Sequence, residues 1–181
     1  MKNTILEKKQ PAVAVLDRSI EIRKSHAVLL GIFAFTFLTA IGAYIRIPLP
    51  FTPVPITMQT FFVVLCAVVM GPVYGTASQA AYIAFGAAGL PMFTLAGAGF
   101  GHLLGPTGGY ILGFVAAQPV VGLIAGRGDT RSFSRTAAAI AAGIAVIYLF
   151  GVMHLKVVTG TGVMEAVALG CLPFLPGAVL K

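Results

Sequence analysis

Gln79, Tyr82 and Gly86 fall at i, i+3 and i+7, so on a helix they share one face. Gln79 offers both a donor and an acceptor, Tyr82 a ring with a hydroxyl, and Gly86 leaves room beside them. Within an apolar bundle this corner has two readings. One is an interhelical hydrogen bond worth roughly 1 kcal/mol; the other is a pocket that binds a polar ring. Either way the chemistry is recognition, because the groups that make and break bonds are missing. The acidic residues Glu7, Asp17, Glu21, Asp129 and Glu165 all lie outside the long apolar runs, which leaves no carboxylate for proton coupling or for an aspartyl intramembrane protease. His26, His102 and His154 are scattered without metal-ligand spacing. Neither His-Glu-x-x-His nor Gly-x-Ser-x-Gly occurs. The glycine cluster Gly97-Ala-Gly-Phe-Gly-His follows an apolar run rather than a strand and has no acidic ribose ligand behind it, which excludes a dinucleotide site. It reads as a flexible outer loop or as a cover that needs close backbone approach. No metal, cofactor or enzymatic activity is expected.

The elements that must hold this corner are membrane helices. Positions 47 to 126, 80 residues, contain no Asp, Glu, Lys or Arg. At about 20 apolar residues per crossing, that gap holds three crossings and their connections. The chain is 58% hydrophobic and 9% charged, against roughly 45–50% and a quarter in soluble domains. Apolar runs rich in Gly and Ala, without strand alternation, predict an all-α polytopic membrane protein. The net charge of +7 would suggest nucleic acid in a soluble protein, but here it follows topology. Lys2, Lys8, Lys9, Arg18, Arg23 and Lys24 precede the first apolar run, and Arg127, Arg131 and Arg135 fill one short connection. Both groups are expected in the cytoplasm of a bacterial cell, with the helices in its plasma membrane. Cys66 and Cys171 read as apolar fillers rather than a disulfide.

Residues 1–25 are expected to form a cytoplasmic tail, with a short interfacial helix as an alternative, and 26–181 a transmembrane domain whose first helix is retained. Crossings are expected at 26–45, 56–70, 73–90, 107–125 and 136–155, with Gly71-Pro72 as an inner turn and Pro119 as a kink. The stretch 46–55 carries Pro48, Pro50, Pro53 and Pro55, which stiffen a loop and cannot continue a helix. A half-helix is expected at 161–172 on the outer surface. The chain reaches Lys181 with either five crossings or a sixth cut off at its first turn. No internal repeat links the two halves. Gly71-xxx-Gly75, Gly109-xxx-Gly113 and Gly122-xxx-Gly126 match the small-residue pattern of helix contacts. Thr36-xxx-Ala40 and Thr39-xxx-Ala43 form a smooth face on helix I, readable as internal packing or as docking for another membrane protein.

Five motifs in order carry a resemblance: Ile47-Pro-Leu-Pro-Phe-Thr-Pro-Val-Pro-Ile-Thr-Met-Gln-Thr, Gly71-Pro-Val-Tyr-Gly, Gly89-Leu-Pro-Met-Phe, Gly105-Pro-Thr-Gly-Gly-Tyr and Pro173-Phe-Leu-Pro-Gly. From about residue 27 to 181 the chain resembles the BioY family, the biotin-binding substrate-specific components of energy-coupling-factor transporters. The resemblance implies a six-helix bundle, here with its sixth helix truncated. It also implies partnership with a transmembrane coupling protein and two cytoplasmic ATPases, in contact with membrane lipid and without nucleic acid. By the same resemblance the Pro-rich stretch is a lid over an outward-facing site, Gln79 faces the ureido ring of biotin with Tyr82 beside it, and Tyr110 lines the pocket. Phe93 would supply apolar wall, and Lys181 and Arg46 are the cations available to the ligand, Arg46 or Lys181 holding its carboxylate. One departure stands out: Ala178 occupies the place of an expected Asp, removing an acceptor worth about 1.5–3 kcal/mol. The alternative reading is a structural or assembly subunit that transports nothing, or a non-functional truncated paralogue.

Overall fold

A chain without water around its backbone must pair its polar groups internally, and the computed structural model shows this done almost wholly with helices. The structure describes the backbone of residues 10–126 and 132–181, and side chains from residue 24 onward. Helix α1 runs Gln10–Tyr44, so part of the expected N-terminal tail is helical. Its residues up to Gly31 belong to a unit of their own, and the packed body is Ile32–Lys181. Strands β1 (Arg46–Ile47) and β2 (Ile56–Thr57) follow, then α2 (Gln59–Ala87), α3 (Phe100–Leu103), α4 (Gly108–Ala125), α5 (Phe133–Thr159), α6 (Val163–Gly170) and α7 (Leu175–Leu180), with 3₁₀ turns at Thr94–Ala96 and Leu172–Phe174.

The two strands pair antiparallel, Arg46 opposite Thr57 and Ile47 opposite Ile56. This ladder pins the base of the Pro-rich loop and shifts the start of the following helix from the expected 56 to Gln59. It stops after two pairs because Pro48 and Pro55, next in line, carry no N–H to donate.

Helix α2 is two legs. Gly71 sits at φ 77 and ψ −177, inside the region that L side chains rarely adopt. Pro72 then starts the second leg, where its missing N–H costs nothing. The legs double back on each other: Gln59 and Tyr82 are joined by a 2.6 Å hydrogen bond, although a continuous helix would hold them roughly 35 Å apart at about 1.5 Å per residue. The turn expected at Gly71-Pro72 is therefore present. Among the described residues, five stretches are long and apolar enough to cross a membrane: Lys24–Tyr44, Gln59–Ala87, Gly108–Ala125, Phe133–Thr159 and Val163–Leu180. The doubling at Gly71 makes the second of these two legs. The last contains the short helix expected within 161–172, present as α6 (Val163–Gly170). Pro173 and Pro176 break the stretch into α6, a 3₁₀ turn and α7, which return the chain to β2.

Outward-facing residues are as apolar as the core. Phe33, Phe37, Ile41, Leu123, Leu149 and Val157 are all exposed, the pattern of a surface facing lipid. On α1 the small-residue face points inward: Thr36, Thr39, Ala40 and Ala43 are buried. Thr36 Oγ1 donates to the Ser78 carbonyl at 2.9 Å, so internal packing is the reading the structure supports for that face. Helix α5 is capped at its start by Ser132, whose hydroxyl accepts from the Arg135 amide. Pro119 lies within an unbroken α4. The expected cytoplasmic segment 127–135 falls partly outside the described residues, at 127–131.

Candidate ligand-binding site

The first leg of α2, residues 59–70, rises only about 18 Å at 1.5 Å per residue, well short of the roughly 30 Å apolar core of a bilayer. Its head, Gln59 and Thr60, lines a cavity. The space above the head is roofed by the strap 46–57 and walled by α4, α5 and the 3₁₀ turn before α7. This cavity, of about 50 Å³, lies between these elements, partly open to solvent.

Its walls divide by chemistry. Ile111 and Phe114 of α4, Tyr148 of α5, Phe174, and Val54, Pro55 and Ile56 of the strap supply apolar surface. Thr57, Gln59, Thr60, Thr94, Thr107, Tyr110 and Lys181 supply polar atoms. Lys181 Nζ donates to the Thr57 carbonyl and, at 2.9 Å, to Thr60 Oγ1. Those contacts hold the ammonium on either side of Gln59 in sequence. Burial pushes the Lys181 pKa down, the direction in which a ligand oxygen beside it would be favourable. Tyr110 packs its ring where Gly151 leaves space, and its hydroxyl donates to the Gly170 carbonyl at 2.6 Å, tying α4 to the end of α6.

Thr94 and Thr107 come from the loop 88–107. Leu95 and Ala96 both have positive φ, 62° and 56°, an uncommon conformation for side chains other than glycine. This tight turn holds Thr94 against the cavity. His102 stacks on Phe93 at 5.1 Å between ring centroids, approaches Thr107 Oγ1 at 3.4 Å, and burial lowers its pKa. Across the strap, Thr52 Oγ1 donates to the Leu169 carbonyl at 2.9 Å, fastening the Pro-rich loop to α6.

The residues singled out from sequence separate here. Tyr110, Lys181 and Pro55 line the cavity. Gln79 does not. It is fully buried, its Nε2 donates to Thr39 Oγ1 at 3.2 Å, and its Oε1 has no partner among the described residues. The amide thus ties the second leg of α2 to α1. Gln79→Leu keeps the volume and removes an unpaired buried acceptor, so it should leave ligand affinity within about twofold while changing stability by no more than roughly 1 kcal/mol. Paired binding and thermal-unfolding measurements check this. Tyr82 lies behind the cavity wall, its ring edge-on to Phe93 at 5.5 Å. Phe93 is likewise behind the wall, seated against Gly86 where any Cβ would collide with its ring. Arg46 is exposed on β1, and Pro48, Pro50 and Pro53 lie in the strap away from the cavity. Ala178 borders a wider, mostly apolar groove along Ile140, Ile144 and Leu149 of α5, which shares Tyr148 and Lys181 with the cavity. Gln59, Thr60, Thr107 and Phe174 lie within the quoted motifs, but no periodicity singles them out. Thr94 and Tyr148 give no sequence signal at all.

A helical membrane body with a roofed cavity lined by apolar, hydroxyl, amide and ammonium side chains defines a membrane-embedded binding component. The BioY family model, described as "BioY family", matches residues 14–181, and the chain belongs to that family. It is 43% identical over 141 residues to the biotin transporter BioY of Thermotoga maritima, covering 78% of this chain and 80% of that one. It is 41% identical over 147 residues to a probable biotin transporter BioY of Pyrococcus horikoshii, covering 81% and 84%. Its fold is similar to a crystal structure of the S-component for biotin from an ECF-type ABC transporter, with a TM-score of 0.79 at 24% identity over 87% of this chain and 86% of that one.

Proposed function

We propose that this chain captures biotin at the outer face of a bacterial plasma membrane. It would act as the substrate-binding subunit of an energy-coupling-factor transporter, alongside a transmembrane coupling protein and two cytoplasmic ATPases. The observation that carries this reading is the cavity, which gathers the Lys181 ammonium, the Gln59 carboxamide, apolar walls and the Pro-rich strap. Biotin has matching parts. Its cyclic urea presents a carbonyl flanked by N–H groups, and its thiophane ring and chain are apolar. Lys181 donates to the urea oxygen, Ile111, Phe114 and Phe174 pack the bicycle, and the carboxylate points to the solvent-open mouth. With Arg46 outside the cavity and Lys181 at the urea end, the carboxylate need not be buried, which avoids the cost of desolvating it. The lack of intramembrane carboxylates fits a subunit that draws energy from partners. The rival role as an assembly subunit loses its best support, because the small residues of α1 are spent on internal packing.

Binding of labelled biotin to the purified chain in detergent tests the reading. Saturable binding that unlabelled biotin competes away is expected, and its absence would overturn the assignment. Orientation has its own test. In a Cys171→Ser background, Ala98→Cys in the outer loop should react with an impermeant thiol reagent added outside intact cells. Ser132→Cys, at the start of α5, should react only after the membrane is opened. Labelling of both from the same side would reverse or break the proposed topology.

A further inference from the structure

Gln59 is the first residue of α2, and its amide is held in one direction. Its Nε2 lies 2.6 Å from the Tyr82 hydroxyl, and that hydroxyl lies 3.2 Å from the Met92 carbonyl. A carbonyl can only accept, so the single Tyr82 proton goes to Met92 and the hydroxyl must accept from Gln59. The NH₂ end of the amide is therefore committed behind the wall, to a residue that does not line the cavity. Its Oε1 is left on the side of cavity-lining Thr57, whose hydroxyl reaches it only at 3.4 Å. An amide oxygen has two lone pairs, and this one, in a side chain only 4% exposed, has acceptor capacity to spare. Gln59 is one residue from Thr60 and two from Thr57, the groups that hold Lys181, and all four residues line the same cavity, which therefore offers a donor and an acceptor together. A cyclic urea presents an acceptor beside a donor.

We propose that Gln59 is the specificity-determining acceptor of this site, its Oε1 taking one ureido N–H of bound biotin. Tyr82 is the positioning residue that prevents the amide from turning round. The assignment rests on the biotin reading above. It identifies what the site measures: a neutral ring N–H next to a carbonyl. A site built around a fixed acceptor rejects an isostere that lacks the donor, because its own buried oxygen is then left unpaired or faces another lone pair.

The test compares biotin with its two cyclic-carbamate isosteres, each having one ureido N–H replaced by a ring oxygen, in the unmodified chain, Gln59→Leu and Tyr82→Phe. The unmodified chain should prefer biotin over one of the two isosteres by at least roughly tenfold. Gln59→Leu should collapse that ratio to within about threefold, with the ratio for the other isostere unmoved. Tyr82→Phe, which frees the amide to turn, should move the same ratio in the same direction. Each ratio is internal to one variant, so a general loosening of the bundle lowers both affinities and leaves it unchanged. If Gln59→Leu gives no folded protein, Tyr82→Phe alone decides. Ratios that stay at the unmodified value for both isosteres would overturn the assignment and leave biotin binding standing. Failure of the unmodified chain to bind biotin would overturn the ligand reading and this assignment with it.

Discussion

Lys181→Met should weaken biotin binding by about 10- to 100-fold. The substitution keeps an unbranched apolar stem of similar length, so packing beside Phe174 and Thr57 survives while the ammonium is lost. A hydrogen bond to a charged group contributes roughly 1.5–3 kcal/mol, and each 1.4 kcal/mol is about tenfold in affinity. Lys181 is already oriented by the Thr57 carbonyl and Thr60 Oγ1, so the donor is pre-placed and little ordering is needed when the ligand arrives. Measuring biotin and biotin amide together locates the contact. If Lys181 serves the urea oxygen, both lose alike. A loss confined to the free acid would move Lys181 to the carboxylate, and no loss for either would remove it from the site.

Gly109→Ala should lower the thermal midpoint of the detergent-solubilised protein more than any conservative change in the strap, by an amount equivalent to about 1–3 kcal/mol. A Cβ at this position would come within 2.3 Å of His154 Cβ and 2.4 Å of the Phe150 carbonyl oxygen. The second obstacle is the backbone of α5, which cannot swing aside as a long side chain can. The two helices would have to separate where they pack most extensively. Tyr110, next in sequence, would be carried away from Gly151 and from the Gly170 carbonyl it donates to, so binding should weaken as well. Gly101→Ala is the matched control. Its Cβ would meet nothing within 4 Å, and in a short exposed helix it should be neutral or slightly stabilising. Equal behaviour of the two variants would mean that the α4–α5 contact tolerates separation.

Much of the architecture is legible in the residues themselves, because membrane solvation acts on each segment independently of its neighbours. Eighty residues without a charge require apolar surroundings wherever they lie. Gly71-Pro72 forces a turn because one residue reaches a backbone conformation that side chains rarely take and the next cannot donate. Four prolines in the strap forbid both helix and extended ladder. Motifs single out Tyr110 and Lys181, and the structure sets both at the cavity.

The assignment of the amide shows where such reading ends. Helical spacing puts Gln79 and Tyr82 on one face, and they do share it. Periodicity fixes only an angle about the helix axis; it says nothing of depth or of what lies opposite. Opposite Gln79 stand Thr39 and α1, which use its donor. Opposite Tyr82 stands Gln59, brought there across 23 positions by the reversal at Gly71. The same limit applies to Phe93, whose place behind Gly86 depends on how the outer loop folds back, and to Arg46, which the short ladder turns to the exterior. Single segments therefore determined the protein's class, its legs and its turns. Which polar side chain faces the ligand space, and which merely braces the wall behind it, was decided by contacts between segments, and those exist only once the legs have packed.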